Sequence, residues 1–580
     1  MKQKTALMAL TALVGMLTGM PDANASSKKC PDTWDYVIVG GGTAGATLAA
    51  KLSDPDSHGK FKNSVLVLEL GIDGSDDPSV LAANLFLAAG GVSNDPAWTR
   101  WTETTTFGSI QYFQSEGVMV GGSAGHNGLQ WFRATPDIYN QWAAISGNSD
   151  WNYSNLLNNV LIPIESYTPN GNSATNERGL NGPLFVSQEP PVDTDPVSIA
   201  ISTASLAPLV DDVNDLSNGD VGVSANQDTV TPPFGSPNSI RSYAGNSFLR
   251  GIPSMGIAAI VDANGNGLGG RKLKIITNAH GNRVLFSKAK HGKRPKAEAV
   301  EYFLSNEPDK LINVNARKKV ILATGSLYDP AMLQRSGIGD AALLDSLDIP
   351  VVFDNPNVGA NLQNHVGFEG VIALPTDISF PSIGNAFIGL PSAPEERTFQ
   401  LIYTNALGFV PLAIRELLDL TEGTVFVTLD EKPNSRGTVE ILSANPLRQP
   451  RVSFNNFSDG GPSDPGSDAN KVVEFYLLLQ DIAADAGSTV LYPTPAQYAD
   501  GDDALFQAGL ASFLEAFHMS GTCSMATSAD TGVVDGDLNV FGVKNLMVVS
   551  NAVAPVISDA NTGLQAYVIG YQAARILRGE

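Results

Sequence analysis

Asp35-Tyr-Val-Ile-Val-Gly-Gly-Gly-Thr-Ala-Gly-Ala-Thr-Leu-Ala-Ala-Lys-Leu52 is the stretch that decides the fold. Tyr36 to Val39 is a short β-branched apolar run of the kind that forms a buried parallel strand. Gly40, Gly42 and Gly45 follow with G-x-G-x-x-G spacing, and the alanine-rich Ala44 to Leu52 reads as a helix. The first glycine permits a tight turn, the second lets a pyrophosphate approach the backbone, and the third lets helix and strand pack closely. Phosphates would sit at the helix N-terminus, where free N–H groups and the helix dipole favour negative charge. A second strand, Ser64 to Glu69, ends on an acid placed to bind ribose hydroxyls. Glu69 lies further from the glycines than the usual ~20 residues, and the polar insert Asp54 to Asn63 accounts for the excess. Together these features specify a dinucleotide site, with NAD and FAD equally open.

The chain has 580 residues, enough for two or three domains at ~100–200 residues each. It is 43% hydrophobic and 16% charged, which argues for a large core and against global disorder. A net charge of −23 argues against nucleic acid or an anionic membrane as a partner. Residues 1–25 read as a secretory signal peptide: Lys2 and Lys4 form the basic start, Ala6 to Met20 the apolar stretch, and Ala23-Asn-Ala25 the cleavage site. The apolar run is shorter than the ~20 residues needed to span a bilayer, so the expectation is a soluble, secreted protein, extracellular or periplasmic. Cys30 and Cys523 are the two cysteines, one near each end of the mature chain; a bridge and a pair of buried thiols are both open. Asn152-Tyr-Ser154 and Asn456-Phe-Ser458 are N-glycosylation sequons, relevant in a eukaryotic source.

Three regions read as α/β: residues 32–150 with the opening motif, 271–365, and the tail 516–580. Strands are expected at Leu273–Thr277, Lys319–Gly325, Ile349–Phe353 and Leu546–Val549, and a closing helix at Gly563–Arg578. Residues 151–270 and 366–515 differ in character. The first is rich in Asn, Asp, Ser, Gly and Pro; the second mixes strand-like runs at Phe399–Tyr403, Thr424–Leu429 and Gly437–Leu442 with a helix at Val472–Ala484. Asp459 to Gly466 is expected to be loop. The alternation fits a dinucleotide domain assembled from three segments, with a substrate domain inserted as two.

Val120-Gly-Gly-Ser-Ala-Gly-His-Asn-Gly128 is a second glycine-dense loop, whose bare backbone at Gly121 and Gly122 allows close approach to a flat or phosphorylated ligand. His126 and Asn127 are its polar residues. With the opening motif and Val67-Leu-Glu69, this loop resembles the flavin loop of the glucose–methanol–choline (GMC) oxidoreductases. Ala323 to Gly339 resembles the family's second signature, and Asn357-Val-Gly-Ala-Asn-Leu-Gln-Asn-His365 the block after it. His518-Met-Ser-Gly-Thr-Cys523, Val533-Val-Asp535 and Leu546–Val549 resemble its C-terminal region. The matches span residues 34–575.

The resemblance implies an α/β chain, α+β overall, with a Rossmann-like FAD domain and a substrate domain on an antiparallel sheet. It implies FAD as cofactor and a small-molecule alcohol as substrate. The electron acceptor is left open between oxygen and a quinone-like molecule. His518 matches the histidine that takes a proton from the alcohol while hydride leaves to flavin N5, a task suited to imidazole. Asn561 matches the second catalytic position; an amide is no base, so it would orient the substrate oxygen, a role compatible with capping the last helix. Glu69 is expected on the adenosine ribose, and Val284 meets the adenine through its backbone. Some members carry FAD bonded covalently through a histidine where His126 stands; packing beside the ring is the alternative. Trp98 and Trp101 are open between lining the flavin and packing in the core.

The chain also departs from the family. Val-Val-Asp-Ala-Ser becomes Val548-Val549-Ser550-Asn551-Ala552, so a carboxylate of the flavin environment is missing and contacts from Ser550 and Asn551 are less directly carried over. Glu116 stands where a basic residue is usual, and the proline usual after the second catalytic residue is absent from Asn561-Thr-Gly-Leu-Gln565. The leading expectation is an FAD-dependent alcohol oxidase or dehydrogenase. The alternative is a lyase or cyclase of the same fold that uses His518 for acid–base chemistry without net redox.

Overall fold

The computed structural model describes residues 33–83, 95–105, 111–170, 177–233, 236, 238–287, 293–373 and 384–580. The expected signal peptide and Cys30 fall outside these residues. Cys523 is buried and free.

Thr33–Val39 lies inside a seven-stranded sheet. On one side it pairs in parallel with Val65–Leu68, which pairs with Leu273–Ile276. On the other side it pairs in parallel with the 16-residue strand Glu307–Leu322. The far edge of that long strand serves two partners: Ala297–Leu304 runs antiparallel along its first half, and Leu546–Val548 runs parallel at Val320–Leu322. Ala279–Phe286 completes the sheet beside Ala297–Leu304. Parallel strands covered on both faces are apolar throughout, and Val65–Leu68 and Leu546–Val548 are buried at every residue. One sheet thus gathers strands from three distant parts of the chain.

Two helices cover the strand ends. Thr43–Leu52, the helix expected from Ala44, packs against the closing helix Thr562–Arg578. The crossing is tight because Gly570 has no side chain; a Cβ there would stand 2.4 Å from the Ala44 carbonyl oxygen.

A second sheet is antiparallel: Val490–Tyr492, Val366–Ile372, Thr424–Asp430, Phe399–Thr404, Gly384–Ile388 and Gly222–Ala225 in that order, with Leu514–Glu515 beside Val366. Helix Asp468–Asp485 packs on it, and the rings of Phe368 and Phe475 meet edge to face at 5.4 Å. Asp459–Gly466 lies outside helix and strand.

Two expected strands differ. Of Ile349–Phe353 only Phe353 is extended into a strand, Phe353–Asp354, paired with Ile338–Gly339. Pro350 has no N–H to give a ladder, and the Val352 N–H goes to the Gly337 carbonyl at 2.8 Å. The run Gly437–Leu442 forms Thr438–Glu440, but in a separate four-stranded sheet with Arg451–Ser453, Thr99–Thr105 and Gln111–Gly117. Among the sequons, Asn456 is buried and donates to Glu515 at 2.9 Å, which leaves no room for a glycan there. No helix among the described residues is long and apolar enough to cross a membrane.

The Gly570 contact makes a test with an unusual sign. Gly→Ala within a helix ordinarily stabilises by up to about 1 kcal/mol. Gly570→Ala is expected to destabilise, by about 1–3 kcal/mol, as read by denaturant unfolding; a more stable variant would contradict this packing.

Candidate active site

The two glycine loops meet backbone to backbone. The Gly121 N–H donates to the Gly41 carbonyl at 2.8 Å, and the Thr43 hydroxyl donates to the Gly121 carbonyl at 3.0 Å. Gly122 takes a φ of +60°, and a Cβ on it would lie 2.7 Å from the Gly42 Cα, so only glycine permits the contact. Above it opens a cleft with roughly 1600 Å³ free of protein atoms, its open mouth included.

Gly40, Gly42, Glu69, Gly122, Asn127, His518, Ser550, Asn551 and Asn561 all line this one cleft. Four other expected residues do not. Gly45 is a packing glycine, where a Cβ would stand 2.1 Å from the Gly40 carbonyl oxygen and 3.2 Å from the Ala323 Cβ. Gly121 joins the loops. Val284 donates its N–H to the Ser336 hydroxyl at 2.9 Å, and its strand reaches the cleft instead at Ala279, His280 and Gly281. His126 is buried off the lining, and burial, then the charge of Arg241, lowers its pKa to about 4. Trp98 is buried against Gly74, a core role, while Trp101 meets Phe517 edge to face at 6.4 Å.

Glu69 accepts the Gly41 N–H at 2.6 Å and the Gly71 N–H at 2.8 Å, one per carboxylate oxygen, and each oxygen keeps a lone pair for hydroxyls. Burial raises its pKa despite these bonds. The unexpected acid Glu116 is paired with Arg100 at 3.2 Å, so a cation reaches the cleft wall from strand Thr99–Thr105. The sequence signal for Arg100 was absent, since that pairing exists only once the two strands adjoin.

Ser550, on the lining, is bonded to a carboxyl group from another element. The Ser550 hydroxyl donates to Asp329 at 2.5 Å, and the Thr324 N–H and hydroxyl both donate to its other oxygen at 2.7 Å. Helix Tyr328–Arg335 thus sets a buried carboxyl group behind Ser550, one hydrogen bond away from the cleft lining. Burial raises the Asp329 pKa to about 6 against these three bonds.

His518 is held by two consecutive residues of the block ending at His365. Asn364 accepts the His518 backbone N–H at 2.7 Å, and the His365 and His518 Nδ1 atoms lie 2.9 Å apart. Met519 beside it receives the Ser326 hydroxyl at 2.7 Å, tying this segment to the end of the long strand. Phe517 takes a φ of +59°, an uncommon conformation for an aromatic residue that costs roughly 1–2 kcal/mol. Burial lowers the pKa of His518 to about 4, so its ring is neutral at pH 7. Asn561 stands at the N-cap of the closing helix, but its side chain makes no cap bond. Its Oδ1 accepts from Gln400 at 3.1 Å, leaving its NH2 group for the cleft.

Family models described as GMC oxidoreductase match residues 34–204 and 259–367 for the N-terminal part and 433–570 for the C-terminal part. The chain belongs to the GMC oxidoreductase family. A curated relative, the oxygen-dependent choline dehydrogenase of Pseudomonas syringae pv. tomato, is 28% identical over 94% of each chain. Among solved structures, pyridoxine 4-oxidase from Mesorbium loti superposes with a TM-score of 0.73 at 22% identity, covering 94% of this chain and 99% of that one. A fungal aryl-alcohol oxidase gives 0.69 at 23%, with coverage of 94% and 99%.

This GMC oxidoreductase is therefore an FAD-dependent enzyme, and the cleft fits that cofactor. A helix N-terminus opens at Gly42 to receive phosphates. Asn551 Oδ1, on the lining, is buried and lacks a hydrogen-bond partner among the described residues, an acceptor suited to a ring N–H. No group of residues suited to holding a metal ion occurs among the described residues.

Asp329 provides a pH-dependent check. A carboxyl group whose pKa is raised by folding stabilises the fold fully below its unfolded value and loses that contribution as pH rises through the folded value. Between pH 4 and pH 6 the enzyme is expected to lose about 2 kcal/mol relative to Asp329→Asn. Chemical denaturation of both proteins across that range measures it; parallel stability curves would place Asp329 in an ordinary environment.

Proposed function

We propose that this protein is a secreted oxidoreductase that oxidises an alcohol, with His518 as the base. The observation that carries the reading is a neutral histidine on the cleft with one ring nitrogen committed to His365 and the other, Nε2, left for substrate. The names of the relatives, choline dehydrogenase and aryl-alcohol oxidase, support an alcohol as substrate. FAD bound in the cleft supplies the hydride acceptor. His518 Nε2 takes the hydroxyl proton, and the Asn561 NH2 group donates to the same oxygen and orients it. Secretion rests on residues 1–25 alone, and the electron acceptor is oxygen or a quinone-like molecule. The alternative, a lyase or cyclase of the same fold, was motivated by the altered Ser550-Asn551 loop; the oxidoreductase family match and the names of the relatives support the redox reading over it.

Mixing the purified enzyme with a panel of alcohols under anaerobic conditions is expected to bleach the flavin with at least one. A panel that leaves the spectrum unchanged removes the redox reading. His518→Ala is expected to keep its flavin and lose turnover by a factor of roughly 10²–10⁴. Because the base works unprotonated, kcat/KM should fall only as pH drops toward about 4, below the ordinary histidine range.

The position of His126 off the lining supports packing near the flavin rather than a covalent bond to it. Acid precipitation should therefore leave the yellow colour in the supernatant. Colour that stays in the pellet, and leaves it in His126→Ala, would establish the bond instead.

A further inference from the structure

We infer that Arg241 is a positioning residue for the cofactor: buried beside the second glycine loop, it turns the Asn127 amide so that the NH2 group, not the oxygen, faces the cleft and donates to the flavin ring. This role requires FAD in the cleft and is independent of His518 as the base.

A side-chain amide can present either its oxygen or its NH2 group, and only its partners decide which. The partners of Asn127 leave one choice. Arg241 Nη1 donates to Asn127 Oδ1 at 2.7 Å, and the Leu129 backbone N–H donates to the same oxygen at 3.2 Å. Guanidinium and backbone N–H groups cannot accept, so the reversed amide would set its NH2 group against two donors. Nδ2 therefore turns away from Arg241. It lies toward Gly563, where a Cβ on that glycine would stand 3.4 Å from it, and both residues line the cleft. Gly563 follows Asn561 by two positions, which places the donor at the catalytic end of the cleft.

Asn551 is fixed in the opposite sense by the same logic. Its Nδ2 donates to the Thr562 carbonyl at 3.1 Å, which can only accept, and its Oδ1 is left without a partner among the described residues. The start of the closing helix thus meets one amide NH2 group and one amide oxygen. That pair complements a flavin ring, which carries one ring N–H and several acceptor atoms.

Arg241 is itself held rigidly. Only 1% exposed and off the cleft lining, it acts solely through what it binds. Its Nε donates to the Val80 carbonyl at 3.1 Å, and its Nη1 serves the Ala124 carbonyl at 3.2 Å as well as Asn127. Its backbone N–H donates to the Leu81 carbonyl at 2.8 Å, and its carbonyl accepts from the Asn246 amide at 2.8 Å. A buried cation is costly unless its hydrogen bonds are made. Here neutral oxygens make them, and the charge strengthens the bond to Asn127 beyond what a neutral donor would give.

The test uses the flavin-loaded enzyme and reads the dissociation constant of FAD from the fluorescence of flavin released on dilution. Asn127→Asp keeps an oxygen for Arg241 and puts a second oxygen in place of the NH2 group. It is expected to weaken FAD binding roughly 10-fold or more. Arg241→Met is expected to weaken binding roughly 10-fold when Asn127 is present, and less than about twofold in an Asn127→Ala background, because the two side chains act through one bond. If Arg241 only braced the loop through Val80 and Ala124, its loss would weaken binding equally in both backgrounds, and that result overturns the inference. An Asn127→Asp enzyme that holds FAD like the wild type overturns it too. Should Arg241→Met not fold, Arg241→Lys, which keeps the charge and loses the planar fork, carries the same comparison. If the flavin is bonded to the protein and none is released, its midpoint potential takes the place of the dissociation constant. A donor to the ring favours the electron-rich reduced form, so a tenfold loss lowers the potential by about 30 mV, again only when Asn127 is present.

Discussion

The contact between the two glycine loops is the constraint on which the rest of the structure depends. Gly41 and Gly121 are 80 positions apart in the chain, yet one backbone hydrogen bond of 2.8 Å joins them. The Cα of Gly42 and the Cβ position of Gly122 come too close for any side chain. That contact sets the floor of the cleft and fixes where a cofactor can lie against the N-terminus of helix Thr43–Leu52. It also aligns Asn127 with the start of the closing helix, where a Cβ on Gly563 would lie 3.4 Å from the Asn127 Nδ2. A bulkier residue at either loop would open the floor and separate the parts of the site that come from opposite ends of the chain.

Above that floor, burial decides the chemistry. His518, His365, Glu431 and Asp329 are all shielded from water, and in each case burial is the largest cause of its shifted pKa. The shared direction is toward neutral forms: both imidazoles lose their protons, and both carboxyl groups keep theirs to higher pH. A site built of neutral polar groups suits the proposed removal of a proton from an uncharged alcohol, because a neutral imidazole is available at ordinary pH. Charge appears where it is compensated, as in Arg100 with Glu116 on the cleft lining.

Much of this was legible in sequence, because local patterns carry it. Tyr36–Val39, the glycine spacing and Glu69 defined the nucleotide end, and the structure places Gly40, Gly42 and Glu69 on the cleft. The closing helix and the strands at Phe399 and Thr424 were recoverable from periodicity and β-branched runs. The failures have local causes too. Ile349–Phe353 looks like a strand by composition, but Pro350 cannot support one. Thr438–Glu440 is a strand as expected, paired with nearby Arg451–Ser453, and it is that partner which joins Thr99–Thr105, more than 300 residues away. Asn357 to His365 was visible as a family block, yet nothing in it said that Asn364 and His365 turn toward His518, 153 or 154 positions later.

The sequence alone determined which residues exist to do chemistry: a glycine cradle, an acid for ribose, one histidine in the right tail, and an amide in place of a second base. The glycines and the acid follow from residue type and short spacing, and the histidine and amide from resemblance to the family's motifs; none of this needs knowledge of the fold. Tertiary structure alone decided what each of them can do. It set the buried Asp329 behind Ser550, released the Asn561 side chain from helix capping by giving its oxygen to Gln400, and set a buried His365 against His518. These outcomes depend on distance and burial between segments far apart in the chain. Proton affinity and hydrogen-bond direction are set by surroundings, and surroundings exist only after folding.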